Sequence, residues 1–183
     1  MSLLDFRHLR PEQAERVAAA HVVADVARRN AARADREGRI DREGLEAFRR
    51  SPLVALTLPR PLGGLGAGLA DAVRVLQVLG RGDASLALIA AMQFHVIGSA
   101  GQSGSWPGVL ERLAPGILEG ALLNSAASEP ELGSPSRGGR MRTVAAREGD
   151  GWRLDGRKTW VTGAPELDCF IVTAAIEGED VPG

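Results

Sequence analysis

Cysteine and lysine each occur once in this chain of 183 residues, and histidine three times. Each scarcity excludes something. The lone Cys169 rules out an internal disulfide framework and any Cys-rich zinc site. It falls in the apolar run Cys169 to Val172 and reads as packing rather than as a reactive thiol. His8, His21 and His95 lack metal-ligand spacing, and no G-x-S-x-G nucleophile elbow is present. Lys158 is the one lysine among 22 basic residues, so 21 are arginine, an excess that reads as genomic composition bias. The formal net charge of -1 offers no footprint for nucleic acid or an anionic membrane. The N-terminal stretch has no apolar signal core and no segment reaches a membrane span, so a cytoplasmic location is expected.

What is present is the balance of a soluble globular chain, with 44% hydrophobic and 25% charged residues. Pro11, Glu12 and Glu15 suit the start of a helix of about five turns, with Ala18, Val22 and Val26 on its apolar face. The charged stretch 32–41 reads as a connection or an exposed helical face. Asp41 reads as the N-cap of a short helix bearing Leu45 and Phe48. Prolines 52, 59 and 61 and the glycines of 63–68 then break helical structure. Leu69, Val73, Leu76 and Leu79 restart a helical period that stops at Gly80–Gly82. Asp83 caps a second helix, apolar or small almost all round and therefore expected in the core. A short helix over Trp106–Leu113 is expected to break at Pro115-Gly116.

After residue 120 the period shortens. Ala121–Ala127, Thr143–Arg147, Trp152–Leu154, Lys158–Thr162 and Phe170–Ile176 read as strands, with Gly-Asp-Gly and Asp-Gly turns between them. The expected fold class is therefore α+β: an all-α N-terminal domain over 1–120, then an incomplete antiparallel β-domain over 121–183. No internal repeat is found. Few strands form before the end, so the chain is expected to be truncated relative to the structure it begins.

Two phosphate-loop look-alikes fail on context. The glycines at 63–68 do not satisfy G-x-G-x-x-G and follow no strand, and Gly151–Thr159 reads as strand rather than strand-loop-helix. His95, one turn after Met92, reads first as a packed core histidine, with a cavity-facing role as the functional alternative. Glu129 resembles a general base, but between Ser128 and Pro130 it reads as shaping the loop or pairing with an arginine. The stretch Asn124–Thr162 stands out. Because Lys158–Thr162 reads as a strand, Trp160 and Thr162 are expected to share a face beside a loop rich in free amides, suited to a flat ligand with a phosphate tail.

The residues Ser128-Glu129-Pro130-Glu131-Leu132-Gly133-Ser134 match the T/S-E-P-x-x-G-S loop of the acyl-CoA dehydrogenase family. Residues 155–164 match its N-G-x-K-x-W-I-T-N-A strand, in the same order. The segments Leu56–Gly66 and Val78–Leu88 also resemble the family, and the resemblance covers most of the chain. It implies a helical domain followed by a β-domain that holds FAD. Ser125, Ala127, Ser128, Gly133 and Ser134 would line the flavin and its phosphates, with Ser128 near the pyrimidine edge. Trp160, Val161 and Thr162 would pack on the ring, the Thr162 hydroxyl near N5. Ser134 and His95 would face the acyl-CoA substrate. The implied activity is α,β-dehydrogenation with hydride transfer to flavin, in a homo-oligomer when complete, with no nucleic acid or membrane partner. No catalytic base is assigned, since the family's glutamate is expected beyond Gly183. Pro135 stands where the family has aspartate. That departure, with His95, keeps open a flavin monooxygenase or oxidase of the same fold, and a non-catalytic product or partner subunit is the remaining alternative.

Overall fold

The computed structural model describes residues 8–104, 106, 108–130 and 141–179. The chain divides into two compact units, Met1–Leu122 and Leu123–Gly183. The first is helical and the second carries the strands, so the chain is α+β with helices first.

In the helical unit, α1 (Pro11–Arg28) packs on α4 (Leu69–Gly82), with α2 (Ala31–Arg36) and α3 (Arg42–Arg49) between them in sequence. The start of α1 at Pro11 and its length agree with expectation, but its buried face does not. Arg16, Ala20, Val23, Ala24 and Ala27 are buried, whereas Val22 is 68% exposed. The reason is close approach. A Cβ on Gly82 of α4 would lie 2.4 Å from the Ala24 carbonyl oxygen, and one on Gly44 of α3 would lie 2.8 Å from the Ala27 Cβ. Alanines opposite glycines let the helices nearly touch, and that dispersion contact outweighs the greater bulk of Val22. The same seam carries a buried ionic group. Asp71 accepts from Arg16 at 2.5 Å, from Gln13 at 2.6 Å and from Arg74 at 3.1 Å.

Both expected N-caps are present. The Asp41 carboxylate accepts the amides of Glu43 and Gly44 and starts α3, which buries Leu45 and Phe48. Asp83 accepts from Ser85 and Leu86 and starts α5 (Ala84–Ser103). By length and apolarity α5 could cross a membrane, which corrects the expectation that no segment reaches a span. Here it packs in the helical core, burying Leu86, Ile89, Ala90, Phe94 and Ile97, with the Phe94 ring 6.0 Å from Phe48 and tilted. Between α3 and α4 the chain makes two 3-10 turns, Pro52–Ala55 and Arg60–Leu62. The glycine-rich loop after them folds back, with the amides of Leu65, Gly66 and Ala67 spent on the carbonyls of Ala55, Leu58 and Leu56. Those amides are unavailable to a phosphate, as the failed motif suggested. The last helix, α6 (Val109–Leu118), runs through Pro115 instead of ending before it. Proline removes one backbone bond near the end of the helix, and burial of Leu110, Ala114 and Ile117 holds the turn.

The second unit holds β1 (Leu123–Ala126), β2 (Val144–Glu148), β3 (Gly151–Asp155), β4 (Cys169–Val172) and β5 (Ala175–Ile176). β2 and β3 form an antiparallel hairpin across Gly149-Asp150, with Gly149 at φ +57° as a two-residue turn needs. The other pairings are parallel, β1 with β4 and β2 with β5. The unit is thus two small sheets of mixed direction rather than one antiparallel sheet. Thr173 and Ala174 pass the chain from one sheet to the other, while the parallel partners are joined by long connections, 127–168 between β1 and β4 and 149–174 between β2 and β5, as parallel pairing requires. Lys158–Thr162, expected as a strand, is an irregular loop.

Candidate functional site

Two places gather the residues singled out from sequence, one in each unit. In the β unit the centre is Glu129, 3% exposed. Its carboxylate accepts from the amides of Arg142 (2.8 Å) and Thr143 (2.9 Å), from the Thr143 hydroxyl (2.6 Å) and from the Lys158 ammonium (2.9 Å). Burial alone would raise its pKa. The bonds from Thr143, Lys158 and the two amides outweigh that and hold the carboxyl down at about 2, from an ordinary 4.5. A carboxylate so stabilised is a poor proton acceptor, so Glu129 shapes the loop and is no general base. Its ionic partner is Lys158, the single lysine, rather than an arginine. Gly156 permits this arrangement, because a Cβ there would lie 2.5 Å from the Thr143 hydroxyl.

The same contacts tie down the loop after β3. The Lys158 ammonium reaches the Ala127 carbonyl (3.4 Å) and the Thr159 amide donates to the Ser128 carbonyl (2.9 Å). At the far end the Asn124 side-chain amide donates to the Thr162 carbonyl (3.0 Å). Between these anchors Trp160 has φ +59° and is 91% exposed. A bulky residue in the left-handed region is strained, and an indole in water forgoes the burial it would find in a core. Both features persist because the loop is anchored on either side. The expectation that Trp160 and Thr162 share a strand face is therefore wrong: alternation requires extended backbone, and Trp160 is not extended.

The remaining site residues of this unit are placed as follows. Ser125 is exposed on β1, Ala127 and Ser128 are half-buried just beyond it, and Val161 is half-buried beside Trp160. The Thr159 hydroxyl is buried without a hydrogen-bond partner among the described residues. Neither it nor Asn124 was singled out as a site residue from sequence. Asn124 sits on the strand's other face from Ser125 and gives no local signal of its reach to Thr162. Gly133, Ser134 and Pro135 lie outside the described residues. A bare indole, an orphaned hydroxyl and an exposed serine, all held by a braced backbone, fit a flat heteroaromatic ring. Cys169, by contrast, has its thiol pushed up by partial burial and by the Asp168 carboxylate, which makes it unreactive.

In the helical unit, His95 is exposed on α5 and is not a packed core residue. It lines a half-open cavity of about 250 Å³ between α4 and α5. Leu69, Val73 and Leu76, expected in the core of α4, line this cavity instead. The core face of α4 is Ala72, Val75, Val78 and Leu79, so the stripe is rotated by about one position. Among the described residues no group of acidic, histidine or cysteine side chains could hold a metal ion.

The fold and these sites define an α+β protein with a helical unit bearing an open cavity and a β unit presenting a braced aromatic loop. Known proteins place that class. The sequence model of the acyl-CoA dehydrogenase N-terminal domain matches residues 11–116, and that of the acyl-CoA dehydrogenase middle domain matches 124–182. The chain belongs to the acyl-CoA dehydrogenase family. It is 39% identical over 162 residues to the putative acyl-CoA dehydrogenase YdbM of Bacillus subtilis, which covers 88% of this chain but 42% of that protein. Among solved structures it resembles KijD3 in complex with FMN and a dTDP-linked amino-keto sugar, at 28% identity and a TM-score of 0.81, over 96% of this chain and 43% of that one. Butyryl-CoA dehydrogenase from Megasphaera elsdenii shares the fold, at 21% identity and a TM-score of 0.78, over 93% of this chain and 45% of that one. The chain thus spans less than half the length of each.

Proposed function

We propose that the chain forms the helical and β portions of a flavin-dependent oxidoreductase that dehydrogenates an acyl-CoA thioester between its α and β carbons. The observation that carries this is the braced Trp160 loop, within the match to the family's middle domain. In this reading Trp160 supports the flavin ring, Ser125, Ala127 and Ser128 line its edge, and Thr159 supplies a buried hydroxyl that has no partner among the described residues. When bound, the flavin supplies hydride acceptance at N5. The chain's own task is to hold the ring and limit its motion, and Glu129 and Lys158 do so by fixing the loop on both sides of Ser128. We assign no α-proton acceptor among the described residues, because Glu129 is committed to four donors.

Reconstitution with FAD or FMN tests the reading. The protein is expected to turn yellow and, with an acyl-CoA, to reduce an artificial electron acceptor. A protein that stays colourless with either flavin sinks it. The dibenzothiophene monooxygenase TdsC of Paenibacillus sp. A11-2 shares the fold, at 22% identity and a TM-score of 0.74, and His95 lies in an open cavity here; together these support a flavin monooxygenase as the second reading. Oxygen uptake by the reduced flavoprotein, with no transfer to the artificial acceptor, would select it over the first.

A further inference from the structure

The α4–α5 cavity has a chemistry that the dehydrogenase reading does not specify. Its floor is apolar, built from Ala72, Val73 and Leu76 of α4, and its α5 wall is mixed, with apolar Ala91, Phe94 and Gly98 beside polar His95, Ser99 and Gln102. His95, Ser99 and Gln102 lie at i, i+4 and i+7 and so form one polar line along the helix. The Ser99 hydroxyl lies 3.5 Å from His95 Nδ1. The Thr57 hydroxyl, also at the wall, is spent on the Phe94 carbonyl at 2.9 Å and adds nothing. Among the described residues no arginine, lysine, aspartate or glutamate lines the cavity. At about 250 Å³ it falls below the roughly 300–1,000 Å³ usual for a whole small ligand, so it suits one segment of a larger molecule.

We infer that this cavity receives an uncharged hydrogen-bonding group, such as a hydroxyl, carbonyl or amide, carried at the far end of a short acyl chain. His95, Ser99 and Gln102 then determine specificity. Two costs set the preference. A plain alkyl end would cover the polar line without pairing it. A carboxylate end would give up water with no counter-charge in the wall. The inference rests on the acyl-CoA reading for the identity of the chain that enters, and on the cavity lining alone for the chemistry of its end.

Three thioesters of equal chain length test it: hexanoyl-CoA, 6-hydroxyhexanoyl-CoA and hexanedioyl-CoA, titrated calorimetrically into the flavin-loaded protein. The hydroxy compound is expected to bind about tenfold or more tighter than either of the others, in line with hydrogen-bond discrimination in built sites. In the His95→Leu, Gln102→Leu double variant the order is expected to reverse in favour of hexanoyl-CoA, and Ser99→Ala is expected to narrow the gap. All three positions are at the surface, and unchanged flavin absorbance and helicity will show that the variants fold. Equal or tighter binding of hexanoyl-CoA or hexanedioyl-CoA by the parent, no binding of any probe, or an unchanged preference in the double variant overturns the inference. Flavin absorbance reports the underlying reading separately: a colourless protein fails that reading, whereas a yellow one lacking this ranking fails only the cavity assignment.

Discussion

The two units are held together by opposite means. The helical unit is sealed by apolar contact, with Phe48, Leu53, Leu56, Leu58, Leu79 and Ile97 fully buried and glycine–alanine seams drawing α1, α3 and α4 together. In the β unit the buried apolar residues among those described are Leu123, Ala126, Ala145 and Ala146, none larger than leucine. Its organising interaction is polar: one carboxylate with four donors. A packed core spreads stability over many small contacts, while a polar knot concentrates it in a few groups whose loss is felt at once. The difference suits the proposed division of labour, in which the β unit would present bare aromatic surface to the flavin and so has less apolar surface left for a core.

Substitutions can break this contrast, beginning with the largest effect. Glu129→Ala would leave the Lys158 ammonium, 11% exposed at its side chain, without its carboxylate and two amides without an acceptor. Removing one partner of a buried pair costs on the order of 3–5 kcal/mol, so the β unit is expected to unfold first on chemical denaturation while helicity persists. The parent should show the same knot in acid. The folded pKa is depressed, so the stabilisation is present above about pH 4.5 and is lost as pH falls towards 2. Glu129→Gln should flatten that acid limb in a stability-versus-pH series, and a limb that stays steep would place the titration elsewhere.

The helical unit should fail by packing. Gly82→Val puts a branched side chain against the α1 backbone, with no flexible atom able to yield. A loss of about 3 kcal/mol is expected in thermal or urea unfolding. The smallest stability effect is expected at the most exposed residue. Trp160→Gly relieves the left-handed strain and removes no core contact, so stability should hold or rise by about 1 kcal/mol. Flavin affinity, measured by fluorescence titration, should nonetheless fall at least tenfold. A marked loss of stability in Trp160→Gly would show that the indole is packing rather than platform.

Local chemistry was legible in the sequence and long-range geometry was not. Asp41 and Asp83 were read as caps because a cap bonds amides two and three residues ahead. The helical periods were also legible, but their faces were misplaced. Ala20, Ala24 and Ala27 carry too little hydrophobicity to outrank Val22, and their value depends on glycines that arrive from other helices. Leu69, Val73 and Leu76 keep helical spacing whether they face a core or a cavity. Lys158–Thr162 alternates like a strand, yet its backbone bonds go to Ser128 and to the Asn124 side chain, and Trp160 turns left-handed. The Glu129 donors lie 13 to 29 residues away, so a one-dimensional reading found its loop-shaping role without its partners.

The rarity of lysine gives the knot a practical consequence. Apart from the N-terminal amine, the chain offers amine-directed reagents one target, and the structure keeps that target shielded against Glu129. Acylation of Lys158 should therefore proceed at the rate at which the knot opens, separable by peptide mass from labelling of the N-terminus. A single residue thus doubles as an intrinsic clock for local opening of the β unit, and its slowing on addition of flavin would time how long the ligand keeps the loop closed.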